Sequence, residues 1–496
     1  MKINFRKIFL FAFLVILGLS SGCSKWLNIN PDSGVVRDKF WKTKSDVNTA
    51  VIGCYSSLLN PDLTSRLFIW GDCRADMVAA NTGIPDDLRR YLLQDITVNN
   101  GYTNYSSFYK TINYCNTVLK FAKEVGNYDA EFTASDLAAA NAEALAIRSL
   151  MYFYLVRTFR TVPLVLEPTY DDQADLYVSN NLTDTQILQQ ISNDLKIASD
   201  GIKSSYSSNP VDHNNKGRFT TWSVNALQAD VYLWSEKYDS CIMACDNIIN
   251  SGNFDLYQAT NGKDKTWFTN LFVNGNSTES LFELEFNSTI TNPFYNFFSG
   301  STGKYLVANA NITNFFLLNE NDVDSIDIRS SGAYNGALAI TKYLASKANL
   351  NYYDWVVYLY ADVILMKAEA LAVRNNAGDL ELAKSLVQKL RIARMASTYT
   401  YRDPGNSGDM LSYIMDERAR EFLFEGKRWF DIVRFSKRGS LADKSQINIV
   451  IASTIIPEKQ GDISNKFADM WFYYLPLNQS EMIANTKLKQ NPFYTK

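Results

Sequence analysis

Residues 221–250 read TWSVNALQADVYLWSEKYDSCIMACDNIIN, and this stretch carries the main evidence for the architecture. Apolar and small side chains recur every three or four residues on both sides of a short polar break, which is the pattern of two amphipathic helices. A connection of only a few residues places two helices side by side and antiparallel. The small residues Ala229 and Cys241 allow the paired backbones to approach closely, and Tyr232 adds bulk near the turn. The stretch therefore predicts a helical hairpin.

This hairpin resembles a tetratricopeptide unit, in which small and large residues alternate along paired helices. A related hairpin is predicted over residues 360–395, with its turn around residues 375–378. Two degenerate repeats that are separated by long insertions favour a scaffold of helix pairs over a regular solenoid.

Helical periodicity also dominates the rest of the chain. It predicts a long helix over residues 135–159, a helix over residues 183–202 with Thr183 as its N-cap, and one more helix over residues 412–436. The fold class is therefore mainly α, with a tetratricopeptide-like scaffold of helical hairpins.

Residues 252–336 have a different composition. They are rich in Asn, Gly, Ser, Thr and aromatic side chains, and residues 280–286 form one of their short strand-like runs. Long irregular segments inside compact proteins are usually binding loops or linkers. Because the aromatic density argues against disorder, these residues predict a loop-rich lobe inserted into the helical scaffold.

Composition excludes several classes of function. The 496 residues include 49 basic and 52 acidic side chains, and a net charge of −3 is unlike the basic surface of a nucleic-acid-binding protein. His213 is the sole histidine of the sequence, which excludes multi-histidine metal sites. Aromatic residues, in contrast, make up 14% of the chain.

The N-terminal residues have the pattern of a lipoprotein signal peptide. Three basic residues near the start precede the apolar run IFLFAFLVILGL at residues 8–19, which is too short to span a bilayer comfortably. The run ends in Ser-Ser-Gly before Cys23. We expect cleavage after residue 22 and lipid attachment to Cys23, which would anchor the mature chain to a membrane. An ordinary secretory signal with a chance cysteine is the alternative.

The other five cysteines do not form a complete disulfide framework, because their number is odd. Cys241 and Cys245 lie one helical turn apart, and with few other ligands nearby they favour buried helix packing over a metal site. The five residues are Cys54, Cys73, Cys115, Cys241 and Cys245.

Nine short motifs in a fixed order resemble the SusD/RagB family of outer-membrane lipoproteins from Bacteroidetes-type bacteria. The most specific motif is ERAREFLFEGKRWFD at residues 417–431. Asn478 departs from the family pattern, which has a second proline there, and Arg160 stands where the family often has glycine. The remaining motifs are Phe40-Trp41, Ala50-x-x-Gly53-x-Tyr55, Ala142-Glu143 with Arg148 and Val162-Pro163-Leu164, Gly217-Arg218, Ser251-Gly252-x-Phe254-x-Leu256, Tyr360-Ala361 with Lys367-Ala368-Glu369-Ala370, Tyr474-Leu475-Pro476, and Lys489-Gln490-Asn491-Pro492.

The resemblance implies a SusD-like α/α superhelix formed by residues 23–496 as a single domain. Its parts are the signal peptide at 1–22, a helical scaffold at about 40–250 and 355–440, a loop-rich lobe at about 252–350, and a C-terminal segment at 440–496. It also implies a location in the outer membrane, lipid-anchored and exposed at the cell surface. Residues 24–27 lack the acidic cluster that often marks surface export in the family.

The function that the resemblance implies is non-catalytic. The protein would capture a nutrient oligomer and deliver it to a SusC-like TonB-dependent transporter. A glycan is the first expectation for the ligand, a peptide is the alternative within the same architecture, and a surface glycoside hydrolase is a remote alternative. No cofactor, catalytic residue or nucleic-acid partner is expected.

Aromatic side chains beside polar ones provide the candidate ligand contacts. A sugar ring stacks its apolar face on an aromatic ring, while its hydroxyl groups hydrogen-bond to Asp, Asn or Arg. Packing and helix capping are the alternative interpretation of each residue. The candidates are Trp70, Asp72, Arg74, Asp76, Tyr102, Trp267, Tyr295 and Tyr305.

Two groups of acidic residues are candidate sites of chemistry. Glu421 and Glu425 recur with opposite charges at helical spacing, which favours ion pairs to neighbouring helices over acid–base catalysis. Asp322, Asp324 and Asp327 resemble a calcium cluster, but their spacing does not match an EF-hand. A turn that holds Asp327 near Arg329 is the favoured interpretation, and bound Ca²⁺ is the alternative.

Overall fold

Helices form most of the protein in the computed structural model. The model describes residues 40–169, 177–260, 266–301, 303–316, 327–330, 332–344, 352–396, 403–439 and 443–495, so Cys23, Asp322 and Asp324 lie outside the described residues. In chain order the first helices are α1 (Lys44–Leu58), α2 (Pro61–Asp72), α3 (Asp86–Leu92), α4 (Ser106–Phe121), α5 (Ala134–Phe159), α6 (Asp184–Gly201), α7 (His213–Lys216), α8 (Thr221–Trp234) and α9 (Tyr238–Ile249). The others are α10 (Thr266–Phe268), α11 (Tyr295–Phe298), α12 (Ile312–Phe316), α13 (Tyr360–Arg374), α14 (Asp379–Ala393), α15 (Ser407–Glu421), α16 (Arg428–Ser436), α17 (Ser445–Thr454), α18 (Pro457–Lys466) and α19 (Gln479–Ala484).

Several of these helices begin where a threonine can satisfy their first free N–H groups. The hydroxyl groups of Thr43, Thr133 and Thr183 each accept from the backbone N–H of the residue three positions on. The side chain of that residue accepts in turn from the backbone N–H of the threonine. The predicted N-cap at Thr183 is confirmed. Helix α5 ends without a glycine, because Arg160 itself adopts a φ of 69°.

The scaffold is a continuous stack of helix pairs. Helices α8 and α9 pair as the first predicted hairpin, and α13 and α14 pair as the second. Neighbours in the stack are α4 with α5, α5 with α6, α6 with α8, and α9 with α13. Cys241 and Cys245 are both fully buried in this stack, as predicted from their small size. The five described cysteines are free thiols.

The prediction of a single helix over residues 412–436 is wrong. Helix α15 ends at Glu421 and α16 begins at Arg428, and both Phe424 and Gly426 between them have positive φ angles. The turn approaches α2 so closely that a Cβ on Gly71 would lie 1.7 Å from the Gly426 carbonyl oxygen. This contact between backbones requires a sharp turn, which a continuous helix does not offer.

Two short antiparallel ribbons join the lobe to the scaffold. Strands β1 (Val78–Ala80) and β3 (Leu306–Ala308) pair with Ala79 opposite Val307. Strands β2 (Ser280–Leu284) and β4 (Trp355–Leu359) pair in a ribbon whose residues are all buried. Strand β2 lies within the strand-like run at 280–286, and β4 leads directly into α13. The lobe is therefore held at two places by backbone hydrogen bonds.

Candidate functional site

Trp70, a predicted ligand contact, lies in the core of the scaffold. Its side chain is 1% exposed and stacks on Phe108 with 4.6 Å between ring centroids. Its Nε1 donates to the Tyr102 carbonyl oxygen at 2.8 Å. Because the ring is buried and its indole N–H is bonded to the backbone, the prediction of a ligand contact at Trp70 is wrong.

Asp72 is also buried, and it fastens the turn between α15 and α16. It accepts a hydrogen bond from the Gly426 N–H at 2.8 Å. Burial raises the pKa of this carboxyl to about 7, although the same hydrogen bond opposes the shift.

Arg74 and Asp76 connect the segment after α2 to the C-terminal half. Arg74 donates to the Phe472 and Tyr473 carbonyl oxygens at 2.8 Å, and Asp76 accepts from Arg428 at 2.9 and 3.1 Å. Both side chains are 1% exposed. The structure therefore contradicts the ligand role predicted for Asp72, Arg74 and Asp76, since all three side chains are buried in the core and present no surface to a ligand.

The ligand contact predicted at Trp267, in the lobe, is also wrong. It is 2% exposed, packs edge-on against Phe272 and lies beneath the Arg394 guanidinium, whose central carbon is 5.1 Å from the ring centroid. Aromatic residues are frequent in irregular segments that pack into a core as well as in segments that bind ligands. Trp267 is a packing residue.

The carboxylates of α15 and the following turn are structural. Glu417 accepts from Arg329, Arg391 and Arg420 at 2.6–2.8 Å. Glu421 pairs with Arg394 at 2.8 Å, and Glu425 accepts from Lys342 at 2.7 Å. The three carboxylates are buried. The prediction that this charged segment binds neighbouring elements is confirmed.

Asp327 pairs with Arg329, as the favoured interpretation of the acidic cluster predicted. The Arg329 Nε donates to Asp327 Oδ1 at 2.8 Å, and Nη2 donates to Oδ2 at 2.5 Å. The same guanidinium contacts Glu417, so Asp327 belongs to the buried ion-pair network.

Three other predicted residues, Tyr102, Tyr295 and Tyr305, are partly accessible at the surface, and we call them the tyrosine patch. Tyr305 directly precedes β3 and is half-buried. Its carbonyl oxygen accepts from the Asn81 N–H at 2.9 Å, and Asn81 Nδ2 donates to the Gly303 carbonyl at 3.0 Å. The β1–β3 ribbon thus fixes the backbone on both sides of Tyr305.

Tyr102 lies close enough to Tyr305 to interact with it electrostatically. Burial and the neighbouring Cys73 raise the pKa of Tyr102 to about 12, and ionisation of Tyr305 would add to this shift. The Tyr102 ring meets Tyr91 edge-on, and the N–H of Tyr102 donates to Asn100. Two tyrosines that are far apart in sequence are therefore brought together.

Tyr295 begins the short helix α11 and is 41% exposed. The Tyr305 N–H donates to the Phe297 carbonyl oxygen at 2.9 Å, which connects α11 to the start of β3. Thr82 and Lys304 are exposed beside the same ribbon, and they offer a hydroxyl and an ammonium group. The tyrosine patch thus combines aromatic faces with hydrogen-bonding groups.

Sequence reasoning missed the open clefts of the surface. A cleft of about 620 Å³ lies between α3 and the segment at 455–466, with Arg89, Leu93 and Ile456 among its lining residues. A second cleft of about 450 Å³ is lined by α1 and α4 and includes Tyr114, which is 39% exposed. The sequence pattern indicates which helix positions are exposed. It does not show which helices lie on the two sides of a cleft.

The described residues offer neither a cluster of metal ligands nor a helix that could cross a membrane. In the ranges that the structure covers, no three His, Cys, Asp or Glu side chains are arranged to hold a metal ion. Likewise, none of the described helices combines the length and the hydropathy that crossing a bilayer requires.

Comparisons with known proteins agree with the architecture. Among solved structures, a SusD superfamily protein from Bacteroides vulgatus superposes with a TM-score of 0.75 at 20% identity, covering 92% of this chain and 100% of the other. NanU of B. fragilis superposes with a TM-score of 0.69 at 20% identity, over 94% of this chain and 100% of the other. These likenesses establish the mainly α fold.

Sequence relatives cover nearly the whole chain. SusD-like protein P38 from Formosa agariphila is 25% identical over 98% of both chains, and SusD-like protein P25 from the same organism is 23% identical over 87% of this chain and 90% of its own. A family model described as "Starch-binding associating with outer membrane" matches residues 25–233. The model of the SusD family matches residues 204–494, which is more than half of the sequence, and the chain therefore belongs to the SusD family.

Proposed function

We propose that the protein binds a nutrient oligomer, a glycan, at the surface of the outer membrane and delivers it to a SusC-like TonB-dependent transporter. Membership of the SusD family supports a binding role, and the match to the model for starch-binding proteins associated with the outer membrane supports a carbohydrate ligand. Lipid attached to Cys23 would hold the chain at the membrane.

The tyrosine patch is the proposed contact surface for the glycan. The observation that carries this assignment is that backbone hydrogen bonds to Asn81 and Phe297 hold the half-buried Tyr305 at the start of the β1–β3 ribbon, beside the exposed Thr82 and Lys304. Aromatic rings stack on the apolar faces of sugars, and Thr82 and Lys304 can hydrogen-bond to hydroxyl groups. Because the ribbon fixes the backbone around Tyr305, little conformational entropy would be lost on binding.

The positions of two carboxylates support the proposal of binding without turnover. A glycosidase needs two carboxyl groups some 5–10 Å apart across an open cleft. The acidic side chains that the sequence offered for this purpose, Glu421 and Glu425, are buried in ion pairs. We therefore assign no catalytic residue, and a surface glycoside hydrolase has no support from these side chains.

A glycan array probed with the purified chain from Cys23 onward tests the proposed ligand class. Tyr305→Ala is expected to weaken binding to any glycan that scores positive by roughly tenfold, which is the effect of losing one stacking contact. Tyr128→Ala is the matched control, since Tyr128 is 61% exposed and lies on another part of the scaffold. Binding to a peptide library with no glycan bound, or release of hydrolysis products, would overturn the proposal.

The transporter partnership is tested in native membranes. Affinity purification of the tagged protein after mild solubilisation is expected to recover a TonB-dependent transporter in a stoichiometric complex. Recovery of the tagged chain alone, from cells that are shown to express such a transporter from a neighbouring gene, would contradict this part of the proposal.

A further inference from the structure

A pocket of about 300 Å³ opens between the loop that follows α6, the start of α8 and the segment that follows α9. Its lining combines two aromatic rings, Trp222 and Phe254, with serine, threonine and asparagine side chains. None of its lining residues belongs to the tyrosine patch or to the two clefts described above. This Trp222 pocket is therefore a separate feature of the surface, and nothing in the proposed function uses it.

Trp222 brings an aromatic ring and a hydrogen-bond donor to the pocket. It lies in the first turn of α8 and is only partly buried. Its ring meets Phe254 edge-on, with 6.2 Å between the ring centroids and an interplanar angle of 71°. Among the described residues, no second aromatic ring contacts Trp222 and no acceptor binds its indole N–H. Such a side chain can stack on an apolar face of a ligand and donate to a hydroxyl group.

The serine-rich loop on one side of the pocket is held in place by Asn215. The Asn215 carboxamide accepts from the Tyr206 N–H at 2.7 Å and donates to the carbonyl oxygens of Ser207 and Asn209 at 3.0 and 2.8 Å. Asn215 itself is 9% exposed. The backbone of the loop is thus ordered before a ligand arrives, so little conformational entropy is lost on binding.

Three exposed side chains at the rim have hydrogen-bonding capacity to spare. They belong to Ser204, Ser208 and Asn253, and in the part of the chain that the structure describes they make no hydrogen bond to the protein. Hydroxyl and carboxamide groups both donate and accept. The rim therefore suits a ligand that carries several hydroxyl groups.

The pocket offers little to an ionic ligand. Lys216 is the one charged residue in its described lining and is 3% exposed, and its Nζ donates to the Ser280 carbonyl oxygen at 2.6 Å. Burial lowers the pKa of Lys216 to about 8, although the neighbouring Glu283 opposes the shift. Because this ammonium group already has a buried partner and a nearby carboxylate, the lining matches a neutral polar ligand.

We propose that the Trp222 pocket is a second carbohydrate site, which binds one neutral hexose unit. Trp222 stacks on the apolar face of the sugar ring, and Ser204, Ser208 and Asn253 bond to its hydroxyl groups. The volume lies at the lower limit of the roughly 300–1000 Å³ of small-molecule sites, which suits a single sugar rather than a long chain. The inference rests on the proposed glycan ligand, but it uses residues outside the tyrosine patch.

Fluorine NMR of the purified chain, with fluorotryptophan at its tryptophan positions, tests the pocket in solution. The resonance that is lost in Trp222→Phe identifies the Trp222 signal. The probes are the methyl glycosides of glucose, galactose and mannose. At least one of them is expected to shift the Trp222 signal in a saturable manner. The absence of a saturable shift with all three would overturn the proposal.

Calorimetric titration with the same glycoside measures the contribution of the pocket to affinity. Trp222→Ala is expected to weaken binding about tenfold, which is the effect of losing one stacking contact. Ser208→Phe places a bulky ring at the exposed rim and should weaken binding at least as much without disturbing the core. Unchanged affinity in both variants would contradict the proposal, and Ser208→Phe decides the point if Trp222→Ala does not fold.

Trp471→Ala is the matched control for these variants. Trp471 is also partly buried, and the central carbon of the Arg160 guanidinium lies 4.4 Å from its ring centroid, but it does not line the pocket. The control should bind the glycoside as the wild type does. An equal loss of affinity in Trp471→Ala would show that the effect of Trp222→Ala is not specific to the pocket and would overturn the assignment.

Tyr305→Ala separates this inference from the proposed function. It alters the tyrosine patch and should leave the saturable shift of the Trp222 signal unchanged. Loss of that shift in Tyr305→Ala would show one site instead of two and overturn the inference. A positive glycan array without a shift at Trp222 would likewise overturn the inference alone. A shift at Trp222, with array binding that Tyr305→Ala does not weaken, would instead overturn the assignment of the tyrosine patch.

Discussion

At the scale of single residues, two helical glycines differ in what surrounds them. A Cβ on Gly71 would lie 1.7 Å from the Gly426 carbonyl oxygen, whereas a Cβ on Gly53 would meet nothing within 4 Å. We expect Gly71→Ala to lower the free energy of unfolding by about 3 kcal/mol or more, because backbone must move. Gly53→Ala should instead raise it by about 0.5–1 kcal/mol, since alanine is the better helix former.

Urea denaturation of the two variants checks this contrast. Equal stabilities for Gly71→Ala and Gly53→Ala would show that the turn between α15 and α16 does not pack against α2 as described.

A second residue-scale prediction concerns the carboxyl group of Asp354. Burial, with the neighbouring Glu283, raises the pKa of Asp354 to about 8, and Glu285, Lys216 and Asp212 are the other charged groups around this cluster. The folded state therefore keeps a proton between pH 4 and 8 that the unfolded state releases. Stability should fall as the pH rises through this window, and Asp354→Asn should lose less stability than the wild type over the same range.

Unfolding measured at intervals from pH 5 to pH 9 tests this pH dependence. Asp255→Asn serves as the control, because Asp255 has a 71% exposed side chain and should follow the wild-type curve. If Asp354→Asn also follows the wild-type curve, the carboxyl group is not protonated in the folded state.

At the scale of elements, helix α15 is held in the core by charge as well as by apolar packing. Burial disfavours ionisation of Glu417, but Arg329, Arg391 and Arg420 outweigh it and hold the pKa of Glu417 well below its ordinary value. Glu417→Gln should therefore lower the free energy of unfolding by about 3–5 kcal/mol, because it leaves buried arginines without their counter-charge. Glu381→Gln breaks an exposed pair with Lys384 and should cost less than about 1 kcal/mol.

Chemical denaturation of both variants gives the comparison. A loss from Glu417→Gln that is no larger than the loss from Glu381→Gln would mean that the network around α15 adds little to stability.

The helices were predictable from the sequence where periodicity and capping agree. Thr183 and the stripe that follows it specified α6, and the turn at 375–378 separated α13 from α14. The break between α15 and α16 was not predictable, because the charges of residues 417–434 continue at helical spacing across it. Only the close approach of α2 to Gly426, a contact between residues far apart in sequence, explains the turn.

At the scale of the whole molecule, sequence composition located the candidate site only in part. It selected Tyr102, Tyr295 and Tyr305, which the fold leaves partly accessible, but also Trp70 and Trp267, which the fold buries. An aromatic ring beside polar residues has the same local sequence in a binding surface and in a hydrogen-bonded core. Burial is decided by elements from elsewhere in the chain, such as α4 and α5 around Trp70.

The attachment of the whole protein to its membrane depends, in our proposal, on Cys23. Each buried CH₂ of an acyl chain contributes about 0.8 kcal/mol to membrane binding, so several chains on one cysteine give lasting attachment. In the native host, Cys23→Ala should abolish incorporation of radiolabelled palmitate and move the protein out of the membrane fraction. Cys54→Ala, at a buried free thiol, should leave labelling unchanged. A Cys23→Ala protein that still takes up the label would show that another residue carries the anchor.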